Sequence, residues 1–111
     1  MKKIIKKDAL DFYNKITDIL LKSSAVNVKT ESDRNYYVLN TSAGTLNIIF
    51  ESLEDMRKSS LYTVYTRFEE PDKAIKHYDC NPYSGKYNFH KLDKESCIDS
   101  FNSFITDVTN L

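Results

Sequence analysis

Leu61-Tyr62-Thr63-Val64-Tyr65-Thr66-Arg67-Phe68 is the stretch on which the fold turns. β-Branched and aromatic side chains fill nearly every position, and such residues suit the pleated, half-buried surface of a sheet. The segment predicts a strand. Working back from it, Glu51 to Ser60 reads as a charged connection with a helical turn at Leu53–Arg57, and Leu46-Asn47-Ile48-Ile49-Phe50 as another strand. Ser42-Ala43-Gly44 is a turn, Tyr36-Tyr37-Val38-Leu39 a strand, and Glu31-Ser32-Asp33-Arg34-Asn35 a polar hairpin loop. Before that loop, Val26 and Val28 alternate with polar residues in a first strand. Connections this short favour an antiparallel meander.

The ends of the chain read as helices. Over residues 4–21, Ile5, Ala9, Phe12, Ile16 and Ile19–Leu20 recur at spacings of four and three, which stacks them on one face. Ser23-Ser24 ends that periodicity. Downstream of the central strand, Pro71 suits the first position of a short helix whose Ala74, Ile75 and Tyr78 face the core. Asn81-Pro82-Tyr83-Ser84-Gly85 turns the chain into a fifth strand, Lys86 to His90. Asp93 then caps a last helix with an apolar stripe of Cys97 or Ile98, Phe101, Phe104 or Ile105, Val108 and Leu111.

The pattern is α+β, a single domain over residues 1–111. It predicts a mostly antiparallel sheet of about five strands, terminal helices packed on one face, and a short helix before the last strand. The expected core includes Phe12, Ile16, Ile48, Phe50, Val64, Phe101, Ile105 and Val108. The other face of the sheet is left open and rich in aromatic side chains.

Composition narrows the function. The formal net charge is zero, whereas dedicated nucleic-acid binders carry a strong basic excess. The charge is uneven: residues 1–30 hold seven Lys against three Asp, and residues 31–72 hold four basic against eight acidic side chains. Eight Tyr outnumber six Phe, and Tyr supplies both area and a polar handle to recognition surfaces. The basic start of the chain leads into no apolar leader segment, and no run approaches the roughly 18 to 20 apolar residues of a membrane span. A cytoplasmic chain with reduced thiols and no membrane association is expected.

No catalytic, metal or phosphate motif is complete. Ser84-Gly85-Lys86 resembles the end of a phosphate-binding loop, but Cys80 stands where the first Gly is needed and Tyr87 where the Ser or Thr is needed. His77, Cys80, His90 and Cys97 are four potential zinc ligands, with knuckle-like spacing in the first pair. Cys97 falls on an apolar helix stripe, however, where a free Cys acts as a small hydrophobe. Cys80 with His77 or His90 and Asp79 can be written as a nucleophilic triad, yet no oxyanion donors are identifiable. Neither an enzyme nor a bound cofactor or metal is expected.

The segment Leu61 to His90, with its Arg-Phe strand, Pro-started helix and Asn-Pro-Tyr-Ser-Gly-Lys-Tyr-Asn turn, is similar to small proteins of phages and other mobile elements. The likeness covers about a quarter of the chain. It implies a setting rich in short proteins that bind and block host enzymes, including anti-CRISPR and other anti-defence proteins. The expected function is thus a small inhibitory protein-binding module, and the expected partner a larger host or defence protein. Its anchors are expected to be Tyr62, Tyr65, Arg67, Tyr83, Lys86 and Tyr87, because Tyr and Arg dominate interface hot spots. The alternative is a single-stranded nucleic-acid-binding domain that stacks bases on Tyr36, Tyr62, Tyr65 and Tyr87. Oligomeric state is open.

Overall fold

The structure, a computed structural model, describes residues 3–31 and 34–110. In chain order the elements are α1 (Lys6–Lys22), β1 (Val26–Glu31), β2 (Arg34–Thr41), β3 (Gly44–Phe50), α2 (Leu53–Lys58), β4 (Tyr62–Phe68), α3 (Pro71–Ala74), β5 (Phe89–Lys91) and α4 (Lys94–Thr109). The strands form one antiparallel sheet in sequence order, β1-β2-β3-β4-β5. This is the meander that the short connections predict. Ser32 and Asp33 of the predicted hairpin loop and Leu111 of the predicted apolar stripe lie outside the described residues.

Each helix has a local cause. α1 carries buried Ala9, Phe12, Ile16 and Leu20 along one stripe. Its end is set by Ser24, which takes a positive φ of 65° while the Ala25 N–H donates back to the Leu20 carbonyl at 3.0 Å. α4 starts at Asp93, whose carboxylate accepts from the Ser96 N–H at 2.8 Å. Ser52 caps α2 in the same way, accepting from the Asp55 N–H at 3.1 Å.

The core lies between the two long helices and one face of the sheet. Phe12, Ile16, Ile48, Phe50, Val64, Phe101, Ile105 and Val108 are all buried in it, as the sequence predicts. Aromatic contacts tie the layers, with Phe12 against Tyr62 at 5.1 Å and Phe89 edge-on to Phe101 at 5.5 Å. The Lys94 ammonium joins α4 to α1 through Asp11 at 2.8 Å and Asp8 at 3.5 Å. At the outer edge every residue of β1 is exposed. A bulge between Asn27 and Lys29 and the Lys29–Glu31 pair blunt that edge.

Four expectations need correction. Ile5 does not join the apolar stripe of α1: it precedes the first helical turn and is exposed, and Ile4 is buried instead. The polar hairpin loop does not span Glu31 to Asn35, because Glu31 ends β1 and Arg34 and Asn35 begin β2, with Glu31 paired to Arg34. Ile75 does not face the core: α3 stops at Ala74 and the Ile75 side chain is exposed. A helix of one turn can present only one residue inward, and Ala74 takes that place. The fifth strand does not run unbroken from Lys86 to His90. It consists of Phe89–Lys91, preceded by an isolated bridge between Lys86 and Arg67. Between them one backbone bond remains, from the Tyr87 N–H to the Thr66 carbonyl at 3.0 Å, while side chains replace its counterpart: the Thr66 N–H donates to Asn88 Oδ1 at 3.2 Å, and the Thr66 hydroxyl donates to the Tyr87 carbonyl. Asn competes with the ladder for backbone groups, which is why the strand breaks there.

Candidate functional site

The sheet face turned away from the helices carries the only grouping of recognition side chains that the fold assembles from several strands among the described residues. Its geometry follows from register. Tyr36 pairs with Ile49 and Ile49 with Tyr65, giving one row across β2, β3 and β4. Val38 pairs with Asn47, Asn47 with Arg67, and Arg67 with Lys86, giving a second row beside it. Successive side chains of a strand point to opposite faces, so each row lies wholly on the uncovered side.

Several contacts fix these groups. The Lys29 ammonium sits over the Tyr36 ring at 4.8 Å. The Tyr65 hydroxyl donates to Glu51 Oε1 at 3.4 Å, and its ring meets His90 edge-on at 5.7 Å. His90 Nδ1 is 3.3 Å from the Thr63 hydroxyl. Burial, and then the Glu51 carboxylate, push the Tyr65 phenol above its usual range. The hydroxyl therefore remains a donor at neutral pH. The Asn47 amide donates to Glu69 Oε1 at 3.0 Å.

Between the rows is a concavity of about 370 Å³ lined by Arg34, Asn47, Ile49, Tyr65, Thr66, Arg67, Lys86 and Asn88. The side-chain substitution at Thr66 and Asn88 is part of its wall. Neither Arg67 nor Lys86 makes a side-chain ion pair or hydrogen bond with any described residue.

Of the expected anchors, Tyr65, Arg67 and Lys86 come together here. Tyr62 and Tyr87 do not. Tyr62 is buried on the helix-covered face against Phe12. Tyr87 stacks on Phe104 of α4 with centroids 4.7 Å apart and planes at 8°. The reason is the two-residue period of a strand: Tyr62 is three positions from Tyr65 and Tyr87 is next to Lys86, so neither can share the face of its neighbour. The stacking platform expected of four tyrosines is reduced to Tyr36 and Tyr65.

Tyr83 stands apart at the tip of the loop before β5, with 94% of its surface exposed. That loop is locked from within. Asn81 Oδ1 accepts from the N–H groups of Tyr83 and Ser84 at 2.9 and 3.0 Å. Gly85, at a φ of 74°, donates to the Asn81 carbonyl at 2.7 Å and accepts from the Phe68 N–H at 2.9 Å.

Arg34, Asn47, Ile49, Thr66 and Asn88 complete the concavity and were not singled out by the sequence reading. The hairpin at Ser42-Ala43-Gly44 carried the signal for two of them. Once Thr41 pairs with Gly44, Asn47 must oppose Val38 and Ile49 must oppose Tyr36.

The four candidate zinc ligands are dispersed in role. His77 is exposed, His90 faces Thr63 on the uncovered face, Cys80 is buried, and the Cys97 thiol donates to the Tyr62 carbonyl at 3.5 Å. Among the described residues no three His, Cys, Asp or Glu side chains are grouped to hold a metal ion. Burial raises the Cys80 thiol above its usual range and pushes Cys97 up to about 11, so both stay protonated at neutral pH. Among the described residues no helix is long and apolar enough to cross a membrane. Comparison with protein-family models, curated proteins and solved structures found no match for this chain.

Proposed function

We propose that this chain is a small protein-binding module that blocks a larger partner by occupying its surface, as a phage- or mobile-element-encoded inhibitor of a host enzyme or defence complex does. The observation that carries this is the uncovered sheet face. Tyr36, Ile49 and Tyr65 form an apolar row beside an Arg67 and a Lys86 with no partner among the described residues. Tyr and Arg with an aliphatic neighbour are the composition of interface hot spots. Their backbones are held in three paired strands, so little backbone freedom is lost when they are covered. Tyr83 on its hydrogen-bonded loop supplies a second contact held outward at similarly low entropic cost.

The test is capture followed by titration. Tagged chain is incubated with extract of its native cells, retained proteins are identified by mass spectrometry, and the purified partner's activity is measured against added chain. Saturating inhibition at a fixed stoichiometry, lost in a Tyr65→Ala/Arg67→Ala double variant that still folds, is the expected result. Inhibition that the double variant retains in full would remove the sheet face from the function.

A further inference from the structure

The concavity on the uncovered face has a chemistry more specific than a generic contact surface. Arg67 and Lys86 are brought side by side by the one bridge that joins β4 to the loop before β5. Neither has a carboxylate within ion-pair distance among the described residues; the same holds for Lys3, Lys6, Lys7, Arg34, Arg57, Lys76 and Lys91, but Arg67 and Lys86 are the two that a bridge sets together in a concavity. Arg34 lines the same space from β2. The floor is apolar, from Ile49 and the half-buried Tyr65 ring. Charged hydrogen-bond donors over an apolar floor strengthen their hold on an anion, because part of the surrounding water is excluded when the site is filled.

The geometry points to an anion-recognition subsite: the concavity receives a carboxylate side chain, Asp or Glu, from an acidic loop of the protein partner, clamped between Arg67 and Lys86 with Arg34 at the rim. This rests on the reading of the sheet face as a protein-docking surface. A protein carboxylate fits better than a nucleic-acid strand for two reasons. The cations bracket one concavity rather than tracking along a groove. Glu51 and Glu69 stand on the same face, at Tyr65 and Asn47, where they repel a chain of phosphates but accept from the donors of a mixed-charge protein surface.

The test is a titration of the isotope-labelled full chain with a capped octaglutamate peptide, read at the side-chain N–H resonances of Arg34, Arg67 and Asn88. Octaglutamine serves as the neutral control. Saturable shifts at Arg67 and Asn88 are expected with octaglutamate and none with octaglutamine. Arg67→Gln should weaken binding about tenfold, the usual scale for one charge-assisted contact, while Lys7→Gln on α1 leaves it within about twofold. No saturable shift at Arg67 or Asn88 with octaglutamate, or an unchanged affinity in Arg67→Gln, overturns the subsite. So does octathymidylate binding at Arg67 more tightly than octaglutamate, which would assign the concavity to a phosphate backbone. The wider reading fails separately. If Arg67→Gln captures the partner as well as the wild type, the docking face stands and the anion clamp falls. If octaglutamate titrates Arg67 but Tyr65→Ala/Arg67→Ala leaves partner capture intact, the docking face falls and takes the proposed occupant with it.

Discussion

Gly85→Ala is the substitution whose cost the structure defines most sharply. Gly85 sits at a φ of 74°, where an L-residue pays about 1–2 kcal/mol. A Cβ there would lie 2.2 Å from the Phe68 carbonyl oxygen and 3.1 Å from its carbon. Both are backbone atoms of β4, so no side-chain rotation relieves the contact. The loop must move, and it loses the Phe68 N–H to Gly85 carbonyl bond of 2.9 Å, a net loss of about 1 kcal/mol. Backbone displacement in a packed region adds about 1–3 kcal/mol, and the stiffer unfolded chain returns about 0.5 kcal/mol. The expected destabilisation is about 2.5–5.5 kcal/mol, which at a urea slope of about 1.5 kcal/mol/M lowers the midpoint by about 2–4 M.

Gly44→Ala is the internal control. Its φ is 100°, but the new Cβ would meet Glu70 Oε2 at 2.8 Å, the mobile end of an exposed side chain that can swing away. It should cost only the conformational term, about 1–2 kcal/mol. Urea unfolding followed by circular dichroism compares the two. If Gly85→Ala costs no more than Gly44→Ala, the close approach of the loop to Phe68 is wrong. The placement of Lys86 beside Arg67 would then be wrong with it.

Three further outcomes are expected. Phe101→Ala empties a fully buried site between α4 and β5 and should cost about 3–5 kcal/mol in the same unfolding assay. Ser24→Gly relieves a non-glycine residue at a φ of 65° and should stabilise the chain by about 0.5–1 kcal/mol, seen as a higher urea midpoint. Stability should also fall in alkali. Burial pushes the Cys97 thiol from 9.0 to about 11 and raises the phenols of Tyr37, Tyr62, Tyr65 and Tyr78 above 10.0. The folded chain therefore holds protons that the unfolded chain releases, so this stability is full below pH 9 and drains as pH rises through the folded values. Cys97→Ala should flatten the first part of that decline, and a profile that rises above pH 9 would contradict it.

How far the sequence could be read depended on whether one residue or one pairing carried the information. The apolar stripe Ala9, Phe12, Ile16 of α1 and the Asp93 cap of α4 are local, and both are where the pattern places them. β4 is different. With Tyr62, Val64, Tyr65, Thr66 and Phe68 all sheet-forming, its composition does not alternate, so nothing within the strand says which face the helices cover. Register decides that, which is why Tyr62 and Tyr65 look alike in sequence and differ in the fold. The break at Asn88 was illegible for another reason. It depends on an amide side chain finding the Thr66 N–H across the sheet, and no spacing rule encodes such a contact.

The central claim, that the sheet face rather than the helix face meets the partner, is tested most directly by site-specific photocrosslinking. A benzophenone amino acid is placed singly at Tyr36, Arg67 and Tyr83, and at Asp99 and Ser103 on the exposed side of α4. Each folded variant is irradiated in the presence of the captured partner. Covalent adducts from positions 36, 67 and 83 with none from 99 and 103 are predicted; adducts from 99 and 103 with none from 36 and 67 would contradict the claim.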